Sequence, residues 1–169
     1  FTYNSPLNYV DDFGLSNIRI TDNQGNVHEF DNPTCREFRN YLNLYSNGEI
    51  SDLSIAGHGS YISMEFGCGD DSQGILLDID SNQVVFDDNG SSFADAIREK
   101  LAPGAKIHLR GCNTAAPRIW SRKKNISKQL ASELPGIKVY GGTSYRIGNN
   151  EFWGFYLGGH GGITLPWGY

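Results

Sequence analysis

A cysteine and a histidine stand where they could act together as a nucleophile and its base. Cys112 ends the apolar run of IHLRGCNTA, and His58 ends the run of LSIAGHGS between Gly57 and Gly59. A thiol is mostly protonated near pH 7 and the thiolate is the reactive form, so a nucleophilic cysteine needs a base or a positive charge beside it. Such a pair indicates nucleophilic catalysis by the thiolate.

The other histidines are less suitable partners for this thiol. His108 lies on the same predicted strand as Cys112, and the extended chain between them spans roughly 13 Å. His28 belongs to an early strand-like run without other reactive groups, and His160 in GGHGG is a reserve candidate. We therefore predict that His58 is the partner.

The elements before these two residues are predicted to be neighbouring β-strands. Between residues 51 and 142 the pattern is strand, insertion, helix, strand, helix, strand, which favours an α/β fold with a mostly parallel sheet. Ligands bind beyond the carboxyl ends of the strands in such sheets. Adjacent strands lie about 5 Å apart, which makes contact between His58 and Cys112 feasible.

Glycines next to the pair have a predicted role as well. Gly111 would let the chain bend sharply, so that the thiol projects from the edge of the sheet. The N–H groups of Gly59 and Cys112 would together form an oxyanion hole.

Two further segments carry clear helix signals. Thr34 is a predicted N-cap with Glu37 three residues on, and an apolar helix face follows. A second helix is predicted in SSFADAIREKLAPG, ended by Pro103 and Gly104, with one apolar face: Phe93, Ala94, Ile97 and Leu101.

The rest of the chain is predicted to contain short strands, loops and one more helix. Strands are expected at 17–20 and 26–30, and also in YISMEF, NQVVFDD and IKVYGG. The stretch between YISMEF and NQVVFDD is expected to be a glycine- and aspartate-rich loop. NISKQLASEL is a predicted helix, and the aromatic C-terminal stretch is expected to hold a closing strand.

Length and charge limit the classes of partner. The chain has 169 residues, which indicates a single domain able to bury a core without disulfides. A net charge of -5 argues against nucleic acid, and no run reaches the roughly 20 apolar residues of a membrane span. A basic cluster indicates either a solvated loop and helix start or an anion-binding patch: Arg118, Arg122, Lys123, Lys124 and Lys128.

The remaining cysteines are interpreted as structural. Cys35 falls in a capped helix and Cys68 in a loop without a nearby histidine. The cysteine spacing matches no zinc pattern, so neither a metal nor a cofactor is expected. Three cysteines leave at least one free thiol, which fits a reducing compartment best. Because the chain starts at Phe1, we expect a processed protein or part of a longer one.

The pair LSIAGHGS and IHLRGCNTA resembles the caspase, gingipain and clostripain clan of cysteine peptidases. In that clan an apolar strand ends in His-Gly and a second strand ends in the nucleophilic cysteine, about 50 residues downstream in caspases. The caspase QAC-G signature is absent, and the resemblance is nearer to bacterial effector and toxin self-processing branches. It covers residues 50–145, whereas 1–49 and 150–169 are unmatched flanks.

The resemblance implies a fold, an activity and roles for particular residues. The fold would be a caspase-haemoglobinase-like sandwich with a mostly parallel central sheet flanked by helices. His58 would protonate the leaving amine, and Cys112 would attack the scissile carbonyl to form a thioester intermediate. The clan uses no strict third member, so Asp52 is interpreted as solvated or capping. A secreted or delivered bacterial effector that acts as a monomer on protein or peptide substrates is expected.

The resemblance also indicates where the substrate residue before the scissile bond would bind. Ser144, Tyr145 and Arg146 match a small–aromatic–Arg pattern of the clan, and Arg146 would favour an acidic residue there. Arg146 as a plain surface residue is the alternative. The acidic pairs Asp70–Asp71 and Asp87–Asp88 would instead attract a basic residue.

Two other functions fit the same sequence. The Cys–His pair would also serve an acyltransferase or an amidase that acts on a non-peptide amide. Alternatively, the scaffold is a binding module without catalytic activity, and an aromatic tail contacts a glycan or a protein: Trp153, Tyr156, Trp167 and Tyr169.

Overall fold

The computed structural model of this chain describes residues 17–67, 74–111, 114–115, 125–142 and 153–157. These ranges contain three helices, namely α1 (Cys35–Leu42), α2 (Phe93–Arg98) and α3 (Ile126–Glu133). They also contain nine strands, namely β1 (Asn17–Asp22), β2 (Val27–Asp31), β3 (Ile50–Ala56), β4 (Ser63–Glu65), β5 (Gly74–Asp78), β6 (Gln83–Phe86), β7 (Leu101–Arg110), β8 (Lys138–Gly142) and β9 (Trp153–Leu157).

Six of the strands form one mixed sheet in the order β2-β1-β3-β7-β8-β9. At its centre β3, β7 and β8 are parallel neighbours, while β1 and β9 run antiparallel to the strands beside them. The predicted α/β class is confirmed, and the parallel part of the sheet is its centre. Strands β1 and β2, which precede the segment with the family resemblance, belong to this same sheet.

One face of the large sheet carries the hydrophobic core. Alternate residues of β3 and β7 are fully buried, as the two-residue period of strands requires. The buried apolar side chains of all three helices belong to the same cluster as these strand residues. The principal strand members of the cluster are Ile18, Ile20, Leu53, Ile55, Ile107, Leu109 and Val139.

Local sequence signals explain where the helices begin. The Thr34 hydroxyl accepts the Glu37 N–H and the Glu37 carboxylate accepts the Thr34 N–H, so the predicted capping box is confirmed. Ser92 and Asn125 cap α2 and α3 in the same way with their side-chain oxygens. Each cap satisfies an N–H group that the first turn of the helix leaves without a partner.

The predicted end of the second helix is wrong. Helix α2 stops at Arg98, and Leu101 already belongs to β7 together with Pro103 and Gly104. The register between β3 and β7 shifts after Ile50, so the residues around Pro103 bulge out of the ladder. A bulge tolerates a proline without an N–H and a glycine with φ of 75°, which explains why the strand continues through them.

A second sheet of three antiparallel strands lies in the insertion between β3 and α2. Its order is β4-β5-β6, and β5 falls in the stretch that was predicted to be a loop. Its residues GILLD begin with glycine and end with aspartate, which are typical of loops. The sequence pattern therefore did not indicate this short buried strand. Within the described ranges, every helix is too short or too polar to cross a membrane.

Candidate active site

The carboxyl ends of β3 and β7 lie side by side. The two strands are parallel neighbours in register, and Ala56 at the end of β3 is paired with Arg110 at the end of β7. His58 stands two residues beyond Ala56, and Cys112 stands two residues beyond Arg110. Equal offsets from a registered pair on adjacent parallel strands favour the predicted proximity, although Cys112 itself lies outside the described residues.

Backbone contact continues past the strand ends through two glycines. A Cβ added to Gly59 would lie 2.8 Å from the Cα of Gly111, and a Cβ added to Gly111 would lie 2.8 Å from the Cα of Gly59. These distances are shorter than any ordinary carbon–carbon contact, so neither position accepts a side chain without movement. The residue after His58 and the residue before Cys112 therefore touch each other through their main chains.

Met64 supports this contact from the small sheet. A Cβ added to Gly111 would lie 2.5 Å from the Met64 sulfur, and Met64 is fully buried. Met64 also forms an isolated antiparallel bridge with Gly59. The insertion between β3 and α2 therefore supports the segment that follows His58.

A hairpin fixes the backbone of His58. Its carbonyl accepts the Glu65 N–H at 2.7 Å, and the Ser60 N–H donates to the Ser63 carbonyl at 2.9 Å. The Ser60 hydroxyl accepts the N–H groups of Ile62 and Ser63. The main chain around His58 is therefore held in place by hydrogen bonds, and the His58 side chain is exposed.

The same hairpin contains Gly59, whose N–H group is one of the two predicted donors of the oxyanion hole. Its two hydrogen bonds flank Gly59, so Gly59 and Met64 form a non-hydrogen-bonded pair. The hairpin therefore does not use the Gly59 N–H, and the Gly59 nitrogen would lie 3.1 Å from a Cβ on Gly111. This amide therefore lies next to Gly111, the residue that precedes Cys112 in the chain. The second predicted donor, the N–H of Cys112, lies outside the described residues.

Thr114 joins the ends of β7 and β8. It is fully buried, and the Leu109 and Gly111 carbonyls share its single hydroxyl hydrogen, at 3.0 and 3.2 Å, while the hydroxyl oxygen accepts the Gly142 N–H at 2.9 Å. Sequence reasoning treated the residues after Cys112 as the loose end of a strand and missed this threonine. A polar residue two positions after the cysteine was the available signal.

Helix α3 is attached to the same region. The Ile126 N–H donates to the Tyr61 carbonyl at 2.8 Å, which connects the start of the helix to the hairpin after His58. The Ser127 N–H donates to the Thr114 carbonyl at 3.2 Å. The first turn of α3 therefore contacts the segments that follow both strand ends.

The described alternatives to His58 have other partners. The His108 Nε2 atom lies 3.1 Å from an Asp52 carboxylate oxygen, and its ring stacks on Tyr140 with centroids 4.6 Å apart. Asp52, interpreted from sequence as solvated or capping, is instead the half-buried partner of His108. His28 lies on the edge strand β2 against Tyr45, and His160 falls outside the described residues.

Cys35 has the environment of a structural thiol. It is fully buried, and its Sγ atom lies 3.3 Å from the Gly74 carbonyl and from an Asp87 carboxylate oxygen. Burial and the neighbouring Asp87 carboxylate raise the pKa of this thiol to about 12. A thiol that stays protonated at neutral pH is a poor nucleophile. Cys68 lies outside the described residues.

The acidic groups beside Cys35 are already bound to partners within the chain. Cys35, Asp87 and Asp88 are close enough to share a cation. However, the Asp88 carboxylate forms a two-point salt bridge with Arg39 at 2.9 and 2.6 Å, and Asp87 accepts the Gly74 N–H at 2.8 Å. The charge of Asp88 is therefore balanced within the chain by Arg39.

Several predicted binding residues lie outside the described ranges. They are Ser144, Tyr145 and Arg146, the basic residues Arg118, Arg122, Lys123 and Lys124, and the acidic pair Asp70–Asp71. Lys128 of the basic cluster is described, and it is exposed on the first turn of α3.

No family model, curated protein or solved structure matches this chain.

Proposed function

We propose that this chain is a cysteine endopeptidase in which His58 and Cys112 form the catalytic dyad. The observation that supports the proposal most strongly is the main-chain contact between Gly59 and Gly111 at the ends of two parallel neighbouring strands. This contact brings together the residues that adjoin the histidine and the cysteine. The environments of Cys35 and His108 leave neither suited to replace them.

The proposed reaction has an acylation half and a hydrolysis half. The Cys112 thiolate attacks the scissile carbonyl carbon, and the Gly59 and Cys112 N–H groups stabilise the oxyanion. The carbon–nitrogen bond breaks as the His58 imidazolium gives its proton to the leaving amine, which leaves a thioester. Water then attacks the thioester, His58 accepts its proton, and the carbon–sulfur bond breaks to release the acid and the thiolate.

The fold proposed for this function is the caspase-haemoglobinase-like sandwich. The parallel arrangement of β3, β7 and β8, with the two reactive positions at their carboxyl ends, is compatible with it. The chain would then be the protease domain of a bacterial effector or toxin. Its substrates would be proteins or peptides, and a preference for an acidic residue would come from Arg146.

Selective alkylation tests the dyad directly. In the folded full chain at pH 7, iodoacetamide should modify Cys112 faster than Cys35 or Cys68, as measured by mass spectrometry of the three cysteine peptides. An ordinary thiol is only a few per cent ionised at this pH, whereas a thiolate paired with an imidazolium is largely ionised. Because its lower basicity reduces its nucleophilicity, we expect a net acceleration of about tenfold.

Variants at two exposed histidines test whether His58 causes the faster alkylation of Cys112. His58→Ala should remove the acceleration, and His28→Ala on the edge strand should leave it unchanged. Incubation with a peptide library should give cleavage that Cys112→Ala abolishes. Equal labelling of the three cysteines in the folded chain, or cleavage that survives Cys112→Ala, would contradict the proposal.

A further inference from the structure

Thr114 makes an unusual number of contacts for a residue in a short turn. Its side chain is fully buried, and its hydroxyl binds the carbonyls of Leu109 and Gly111 as well as the Gly142 N–H. A hydroxyl has one hydrogen and two lone pairs, so this one acts as donor to β7 and as acceptor from β8. Thr114 therefore fixes the separation between the ends of these two strands.

This hydroxyl joins the residues on either side of Cys112 and Asn113. Cys112 and Asn113 stand between Gly111, whose carbonyl accepts the hydroxyl, and Thr114, which carries it. The next residue is held too, because the Ala115 N–H donates to the Gly142 carbonyl at 2.8 Å. The chain is therefore held immediately before and immediately after the two residues Cys112 and Asn113.

The methyl group of Thr114 reaches the histidine side of the site. A Cβ added to Gly59 would lie 2.9 Å from the Thr114 Cγ2 atom, so this methyl group packs against the residue after His58. On the opposite side, a Cβ added to Gly141 would lie 2.8 Å from the Thr114 hydroxyl oxygen. Thr114 thus contacts the ends of β7 and β8 and the segment that follows β3.

We propose that Thr114 is a positioning residue for Cys112, acting through the hydroxyl that joins Gly111 and Thr114 to the ends of β7 and β8. The inference rests on the proposed peptidase function. The hydroxyl holds the main chain that carries the nucleophile, and the methyl group maintains its separation from the segment after His58. A displacement of about 1 Å at a reacting atom is enough to reduce catalysis strongly, which makes such a clamp effective.

Two substitutions separate the hydroxyl from the methyl group. Thr114→Val keeps the shape of the side chain without the hydroxyl, and Thr114→Ser keeps the hydroxyl without the methyl group. Ile97→Val in α2 is the control for a general loss of stability, because it removes one buried methylene from a helix that packs mainly against β6 and α1. Each full-length variant is alkylated with iodoacetamide between pH 5 and 9, below its own unfolding temperature.

We expect the reactivity of Cys112 to fall when the Thr114 hydroxyl is removed and to persist when it is kept. Thr114→Val should lower the alkylation rate of Cys112 at pH 7 by about fivefold and move the midpoint of its pH profile toward that of an ordinary thiol. Thr114→Ser should stay within about twofold of the wild type and keep its pH profile. Ile97→Val should lower the unfolding temperature without changing either property.

The outcomes that overturn the inference differ from those that overturn the function. If Thr114→Val behaves as the wild type while His58→Ala is slow, Thr114 does not position the nucleophile and the dyad stands. If Thr114→Val does not fold, the test is Thr114→Ser, which keeps the hydroxyl. A folded serine variant with normal Cys112 reactivity supports a role for the hydroxyl. A folded serine variant with reduced Cys112 reactivity contradicts that role. If Cys112 in the wild type does not depend on His58, both proposals fail.

Discussion

Replacing Gly59 with alanine tests the contact on which the proposed site depends. The new Cβ would meet Gly111 Cα at 2.8 Å and Thr114 Cγ2 at 2.9 Å. Ordinary carbon–carbon contacts are about 3.5 to 4.0 Å, so the two strand ends would have to separate by about 1 Å. The φ of Gly59 lies outside the left-handed region, so the effect of Gly59→Ala would come from this contact and not from backbone strain.

The separation has consequences for both stability and reactivity. Overpacking of this size costs about 1 to 3 kcal/mol in the free energy of unfolding. A 1 Å displacement of a reacting group lowers catalysis by up to about 10²-fold. We therefore expect Gly59→Ala to unfold at a lower urea concentration and to alkylate Cys112 at a rate close to that of His58→Ala.

A second glycine provides a matched control. Gly25 has φ of 88° and nothing within 4 Å of an added Cβ, so Gly25→Ala strains only the turn between β1 and β2. A left-handed alanine costs about 1 to 2 kcal/mol, which is similar to the loss expected for Gly59→Ala. The assays are urea unfolding followed by circular dichroism, and iodoacetamide labelling of the folded chain followed by mass spectrometry. Equal Cys112 reactivity in the two alanine variants would refute the role assigned to the Gly59–Gly111 contact.

Two predictions concern the first helix. Cys35 has a folded-state pKa of about 12 against an ordinary value of 9.0. The protonated thiol therefore stabilises the fold fully below about pH 9, and this contribution decreases as the pH rises toward 12. Urea unfolding between pH 7.5 and 10.5 should show a steeper loss of unfolding free energy with pH in the wild type than in Cys35→Ser. Parallel curves for the two proteins would contradict this account. Thr34→Ala should lower the free energy of unfolding by about 1 kcal/mol, because it removes a capping box. Thr34→Ser keeps the capping hydroxyl and should keep most of this stability. Equal urea midpoints for the two variants would show that the cap contributes little.

Local chemistry allowed several features to be predicted from the sequence. The Thr34 capping box, the α3 helix and the strands before His58 and Cys112 follow from signals within a few residues of each other. The end of α2 could not be predicted in this way. Ile50 donates its N–H to the Lys100 carbonyl at 2.8 Å, so pairing with a distant strand, together with a bulge around Pro103, overrides the local signal for a loop.

The sequence alone therefore determined which residues are candidates for a catalytic pair, because a cysteine and a histidine at the ends of apolar runs can be recognised from composition and spacing. Only the tertiary structure decided that the glycines beside them touch, that His108 is paired with Asp52, and that Thr114 joins β7 to β8. The physical reason is that these contacts connect residues far apart in the chain. Their distances depend on strand order and register, which no short stretch of sequence contains.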